Sequence, residues 1–146
     1  MPRFPHLLPA DANLWADFLS QTSINFTYFE YDIHVGQGRD PGPAFDANIR
    51  KMAITLSQRR IDVVAHTPNI VWIIEVSTTA GLTALGQLLA YPALYASMFP
   101  QPWPVLPLLV CRQLATDAKI PFDRAGIPYI LVPSTPPQPS QGGTTL

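Results

Sequence analysis

Two short runs rich in β-branched residues, 61–65 (I-D-V-V-A) and 70–76 (I-V-W-I-I-E-V), flank the turn-forming triplet Thr67-Pro68-Asn69. Such a pattern folds naturally as an antiparallel hairpin. Each run carries one carboxylate, Asp62 in the first and Glu75 in the second. If residues 67–70 form the connection, His66 pairs with Val71 and Asp62 stands directly opposite Glu75. Opposed residues share a face of the sheet, with Cβ atoms roughly 4.5–5.5 Å apart. Like charges so placed destabilise the pair, and half-buried carboxylates require a partner, a proton or a cation. A divalent metal with oxygen ligands satisfies both at once. The other solutions are an ion pair with Arg59 or Arg60, or a slipped register that sends one carboxylate to solvent.

The next element is a helix predicted over 82–99, which sets Gln87 and Tyr91 one turn apart on one face. Pro92 is expected to kink or break it just after Tyr91. Asp62, then Glu75-Val76-Ser77, then Gln87-x-x-x-Tyr91 together resemble the PD-(D/E)xK nuclease superfamily, and the closing Gln-x-x-x-Tyr resembles its RecB-like branch. The resemblance implies a single α/β domain with a restriction-endonuclease-like mixed central sheet flanked by helices. It implies a phosphodiesterase of DNA in which Asp62 and Glu75 hold Mg (or Mn), with the Val76 carbonyl as a further ligand and Gln87 and Tyr91 facing the site. One position departs from the family: Ser77 stands where it carries a lysine. That lysine orients the attacking water and stabilises developing charge.

Two other cations are candidates for the missing role. In the hairpin register above, Arg60 stands opposite Ser77 on the same face; it could clamp a phosphate but could not serve as a base. Lys51 lies upstream of Asp62, yet strand alternation turns it away from Asp62 unless a bulge intervenes. The family sometimes adds an acid on the helix before the sheet. Asp17 is the candidate here, although an exposed helix carboxylate is the simpler reading.

Composition narrows the function classes. The 146 residues suit one domain with a sizeable core, 47% are hydrophobic and only 13% charged, and the formal net charge is −1. No global basic field advertises nucleic acid, so contact with it must be local, through Arg39, Arg50, Lys51, Arg59 and Arg60. The low charge favours a chain whose apolar surface is covered by protein partners or by further copies of itself. Cys111 is the only cysteine, which excludes a disulfide and a zinc cluster and reads as a buried, inert thiol. No signal peptide or membrane span is recognisable, so the expected location is the cytoplasm or the inside of a viral particle.

The remaining elements follow in order. Residues 1–9 read as an extended, proline-punctuated arm, and 10–133 as the folded domain. A helix capped by Asp11 or Asn13 runs to about Gln21, with Leu14, Trp15, Phe18 and Leu19 inward. Residues 24–35 read as a first strand, with Tyr28, Glu30, Asp32 and His34 on one face and Phe29, Tyr31, Ile33 and Val35 on the other. That polar face is either a second metal site or the solvated side of an edge strand. Residues 36–43 are a Gly/Pro loop, and 49–56 begin a long second strand continuing to Asp62. Strands over 105–111 and 126–132 flank a short helix over 116–124. Residues 134–146 are a low-complexity tail, which orders only when another chain holds it; both ends are expected against partners. Two functions fit these readings. One is a metal-dependent DNA phosphodiesterase weakened by loss of its lysine; the other is a non-catalytic subunit of a larger assembly, such as a phage or mobile-element particle, that keeps the nuclease fold.

Overall fold

The computed structural model describes Phe4 and residues 6–134. Their sheet has five strands in the order β1-β2-β3-β4-β5, which is also their chain order. β1 (Tyr28–Val35), β2 (Arg59–His66) and β3 (Val71–Ala80) form an antiparallel meander, whereas β4 (Val105–Leu114) and β5 (Tyr129–Leu131) extend it in parallel. Parallel neighbours need a crossover. Helix α3 (Leu82–Met98) supplies it between β3 and β4, and α4 (Lys119–Ala125) supplies it between β4 and β5.

The two faces are covered by different helices. On one, α1 (Pro9–Gln21) packs Leu14, Trp15 and Phe18 against Val63, Ala65, Ile74, Val76, Leu108 and Val110. On the other, Leu88, Tyr91 and Tyr95 of α3 and Phe122 of α4 meet Val64, Ile73, Leu109 and Cys111. β2 and β3 are therefore largely apolar on both faces, which is why their runs read as nearly continuous hydrophobics. Burial pushes the Cys111 thiol up to about 11, as an inert core cysteine requires.

Several expectations are corrected. Helix α1 begins at Pro9, which suits a first helical position because its missing N–H has no intrahelical partner to lose. Asp11 is therefore inside the first turn and is not the cap. Of the amino-terminal arm, Phe4 and Leu7 pack on the α1-side core. Residues 47–57 form helix α2 (Ala47–Ser57) and not the start of β2. Ile49, Ile54 and Thr55 suggest a strand, but Asp46 accepts from the Ile49 N–H at 2.9 Å as an N-cap, and the apolar residues recur every three or four positions. Pro92 does not end α3, which continues one and a half turns beyond it to Met98, with Tyr95 buried among the core residues. Residues 135–146 lie outside the described residues, and the expectations for the tail with them.

The first strand also departs from simple alternation. Phe29 and Tyr31 belong to the α1 side, but Ile33 and Val35 belong to the α3 side. Asp32 between them has φ 56°, and the β1–β2 ladder skips it, passing from Tyr31↔Val63 to Ile33↔Ile61. β2 switches at the matching place: Ile61 and Val64 face α3, whereas Val63 and Ala65 face α1. The irregularity falls on Asp32 in β1 and on Asp62, opposite it, in β2. The register is the same on either side, so no residue is inserted in either strand.

Candidate active site

The β2–β3 pairing has the expected register, with His66↔Val71 next to the turn and Val63↔Ile74 at the far end. The regular ladder stops there. Asp62 and Glu75, next in line, sit where the strands part. The Val76 N–H, which a continuing ladder would occupy otherwise, donates to Asp62 Oδ2 at 3.0 Å. The Asp62 backbone in turn supports the Glu75 carboxyl group. Each acid is thus held by the other's strand.

Glu75 is 5% exposed, and its Oε1 is buried without a hydrogen-bond partner. Burial, and then the charge of Asp62, push the Glu75 carboxyl up to about 10. Asp62 is also raised, chiefly by burial, against the opposing pull of the Val76 N–H. At neutral pH and without a cation the pair therefore carries a proton on Glu75, the expected response when two carboxylates share one apolar site. Two hard oxygen donors, one of them an orphan, fit a divalent cation such as Mg²⁺ or Mn²⁺. Among the described residues no group of three or more His, Cys, Asp or Glu side chains closes around a single point, so a bound cation would keep several waters.

Tyr91 comes to the site from α3 and is 7% exposed. Burial raises its phenol, a hydrogen bond with Gln87 partly offsets this, and the charges of Glu75 and Asp62 add to the rise. Gln87 and Tyr91 are thus a connected pair beside the two acids. Arg60 is placed differently from the expectation. Its guanidinium forks onto Asp32, with Nε–Oδ1 and Nη2–Oδ2 both 2.7 Å, because the φ of Asp32 turns that carboxylate toward it. Its charge still reaches Asp62, but its directed hydrogen bonds are used on β1. Lys51 lies on exposed α2 and lines a surface cleft with Asp40, Arg50 and Gln58. Ser77 is partly buried, and its Oγ donates to the Thr79 carbonyl at 3.2 Å.

Of the two acids on the first helix, Asp11 and not Asp17 lies near Asp62. Asp17 is bound to Arg112 at 2.8 Å. Asp11 accepts from the Thr78 N–H at 3.2 Å and from its hydroxyl at 3.1 Å, and its negative charge contributes to the rise of Asp62. The signal was available in the helical phase, since 11, 14, 15 and 18 form one stripe at i, i+3, i+4, i+7. The other polar residues of β1 are an edge-strand network: Glu30 Oε1 is 2.7 Å from His66 Nε2, and Tyr28 stacks on His66 at 3.9 Å.

No protein-family model and no curated protein matches the sequence. Among solved structures, the chain is similar to a repair endonuclease from Pyrococcus abyssi, with a TM-score of 0.55 and 14% identity over 89% of this chain and 50% of that one. It is also similar to EndoMS in its apo form, with a TM-score of 0.51 and 14% identity over 89% of this chain and 49% of that one. The chain spans about half the length of these structures. The likeness shows a restriction-endonuclease-like fold, the five-stranded mixed sheet between helices described above. Among the described residues no helix is long and apolar enough to cross a membrane.

Proposed function

We propose that the chain is a metal-dependent phosphodiesterase of DNA whose chemical step is weakened by Ser77. The observation that carries this reading is the convergence of Asp62 and Glu75 at the fork of β2 and β3, with Glu75 Oε1 buried and unpartnered. Leaving that oxygen unpaired costs about 1–3 kcal/mol, a cost that a bound cation would relieve. Bound between the two acids, Mg²⁺ or Mn²⁺ would polarise a phosphodiester and acidify a water. Asp62 and Glu75 supply the negative oxygens, Gln87 and Tyr91 order the α3 wall, and Asp11 offers a further carboxylate from α1. Arg60, locked to Asp32, adds positive potential near Asp62 without pointing a donor at it. Ser77 cannot deliver a cation to the attacking water, and this separates the chain from the PD-(D/E)xK pattern that its RecB-like Gln87 and Tyr91 otherwise match.

The test is nicking of supercoiled plasmid over long incubations with Mn²⁺. Slow cleavage is expected, with loss of at least tenfold in both Asp62→Ala and Glu75→Ala, in the range typical for removing a metal ligand's support. Cleavage that persists unchanged in both variants would show contamination or another site, and the assignment would fall.

A second reading, a subunit that works within an assembly, is favoured by helix α2. Phe45, Ile49, Met52 and Leu56 recur at spacings of four, three and four, and are 49%, 48%, 63% and 75% exposed. No residue of α2 is buried. Such a stripe on a free chain marks an interaction surface. On this reading, light scattering finds the purified chain associated, and Leu56→Glu returns it to monomer. A wild-type monomer leaves the nuclease reading alone.

A further inference from the structure

The arginines and lysines of the described residues fall into two classes. Arg50, Arg60, Arg112 and Lys119 are each within 2.8 Å of an aspartate, respectively Asp40, Asp32, Asp17 and Asp123. Arg39, Lys51, Arg59 and Arg124 have no carboxylate partner among the described residues. Lys51 shares its cleft with the Asp40–Arg50 pair, and Arg124 ends α4. Arg39 and Arg59 differ from both, because they line one cleft of about 270 Å³ together with Gly36, Gly38, Ser57 and Leu94.

The walls of that cleft are fixed. Gln58 Nε2 donates to the Gly36 carbonyl at 2.8 Å, and the Arg39 N–H donates to Ser57 Oγ. Gly38 has φ 68° and lies so close to α2 that a Cβ there would collide with the Ile54 carbonyl. The Gly/Pro loop, composed like a flexible one, is thus latched against the α2–β2 junction at its base. Arg59 opens β2 three residues before Asp62, and Leu94 follows Tyr91 by one turn of α3. The charge of Arg59 is felt at the Tyr91 phenol. The cleft therefore opens on the Tyr91 side of α3, at the start of the strand that carries Asp62.

We propose that the Arg39–Arg59 cleft binds a phosphodiester of a nucleic-acid strand that flanks the phosphate presented to Asp62 and Glu75. The proposal rests on the phosphodiesterase reading above for what the neighbouring site does. Two guanidiniums lining one cleft, one from the loop and one from β2, suit a charge-assisted grip on one phosphate. Its two cations act on the phosphate, a contact that positions a strand and carries no sequence information. This also accounts for a chain of net charge −1 engaging a polyanion: half of the described lysines and arginines are neutralised in place, and an unpaired couple is kept in one cleft.

The test is fluorescence anisotropy of the full chain with a labelled single-stranded DNA and its RNA counterpart, in EDTA so that no metal contributes. Arg39→Gln/Arg59→Gln should weaken binding at least tenfold, and the salt dependence should flatten by about 0.7 in log–log slope, the value for the one phosphate the pair grips. Arg124→Gln should bind as wild type. Both residues are exposed, so folding is not at stake; Arg59→Lys should keep most of the affinity and all of the salt slope. Equal loss with DNA and RNA identifies the phosphate alone as the ligand, and loss with one only identifies that strand as the source. Wild-type binding by the double variant, or an equal loss in Arg124→Gln, overturns the proposal. A separate Mn²⁺ titration reads the acids. Arginine-dependent binding in a protein that takes no Mn²⁺ would sink the phosphodiesterase reading and leave the cleft standing; Mn²⁺ uptake without arginine-dependent binding would do the reverse.

Discussion

In EDTA at about pH 8, Glu75→Gln is expected to be more stable than the wild-type chain, and the advantage is expected to fade as the pH falls toward 4.5. Glu75 is raised from 4.5 to about 10, first by burial and then by Asp62. A group whose folded pKa is raised contributes stability that is complete below the unfolded value and is lost as the pH climbs toward the folded one. One proton carries a slope of about 1.4 kcal/mol per pH unit across that window. Glutamine keeps the shape and the neutral state at every pH, so it removes the slope. Urea denaturation between about pH 5 and 9 reads it directly. Mn²⁺ should narrow the gap at pH 8, because a ligand that binds only the folded chain adds about 2.7 kcal/mol at a hundredfold excess over its Kd. Wild type should gain this and Glu75→Gln should not. Calorimetric titration in buffers of different ionisation enthalpy should find about one proton expelled per Mn²⁺ bound. A pH-independent stability difference, or Mn²⁺ uptake without proton release, would mean that Glu75 is already ionised and satisfied by something else.

How much of this was legible depended on how local the governing physics was. The hairpin register could be read because the turn is short and the strands are nearly continuous apolar runs; His66↔Val71 then carries the eye to Asp62 opposite Glu75. The crossover helix with Gln87 and Tyr91 was equally plain. Helix α2 was not, because three β-branched residues outweighed an N-cap and a 3–4 spacing whose apolar side faces solvent, where no core rewards the pattern. Arg60 was misplaced because its fate is set by φ at Asp32, 28 residues earlier in a different strand. No rule of alternation anticipates a paired irregularity in β1 and β2. Asp11 was missed for a smaller reason: it was considered as a cap before its place on the buried stripe of α1 was considered.

The largest change in rate is expected from Ser77→Lys. Ser77 follows Glu75 by two residues on β3, so alternation puts both on one face, and its hydroxyl is occupied only by the Thr79 carbonyl. An ammonium on that side would stand beside Glu75, with no other cation directed there, since Arg60 is spent on Asp32. A single well-placed donor to developing charge is worth about 10²–10³ in rate. Plasmid nicking with Mg²⁺ should therefore rise by about that factor in Ser77→Lys, stay at the wild-type level in Ser77→Ala, and return to background in Asp62→Ala/Ser77→Lys. The alanine control separates a gained cation from a lost hydroxyl, and the double variant ties the gain to the acids. Vigorous wild-type cleavage abolished by Asp62→Ala would mean that another group already supplies the charge, with Arg59 at the Tyr91 wall the first to examine. An inert Ser77→Lys that still binds Mn²⁺ would mean that the fork of β2 and β3 holds a cation without presenting a phosphate to it, and the chain would then be a binding subunit in a nuclease's fold.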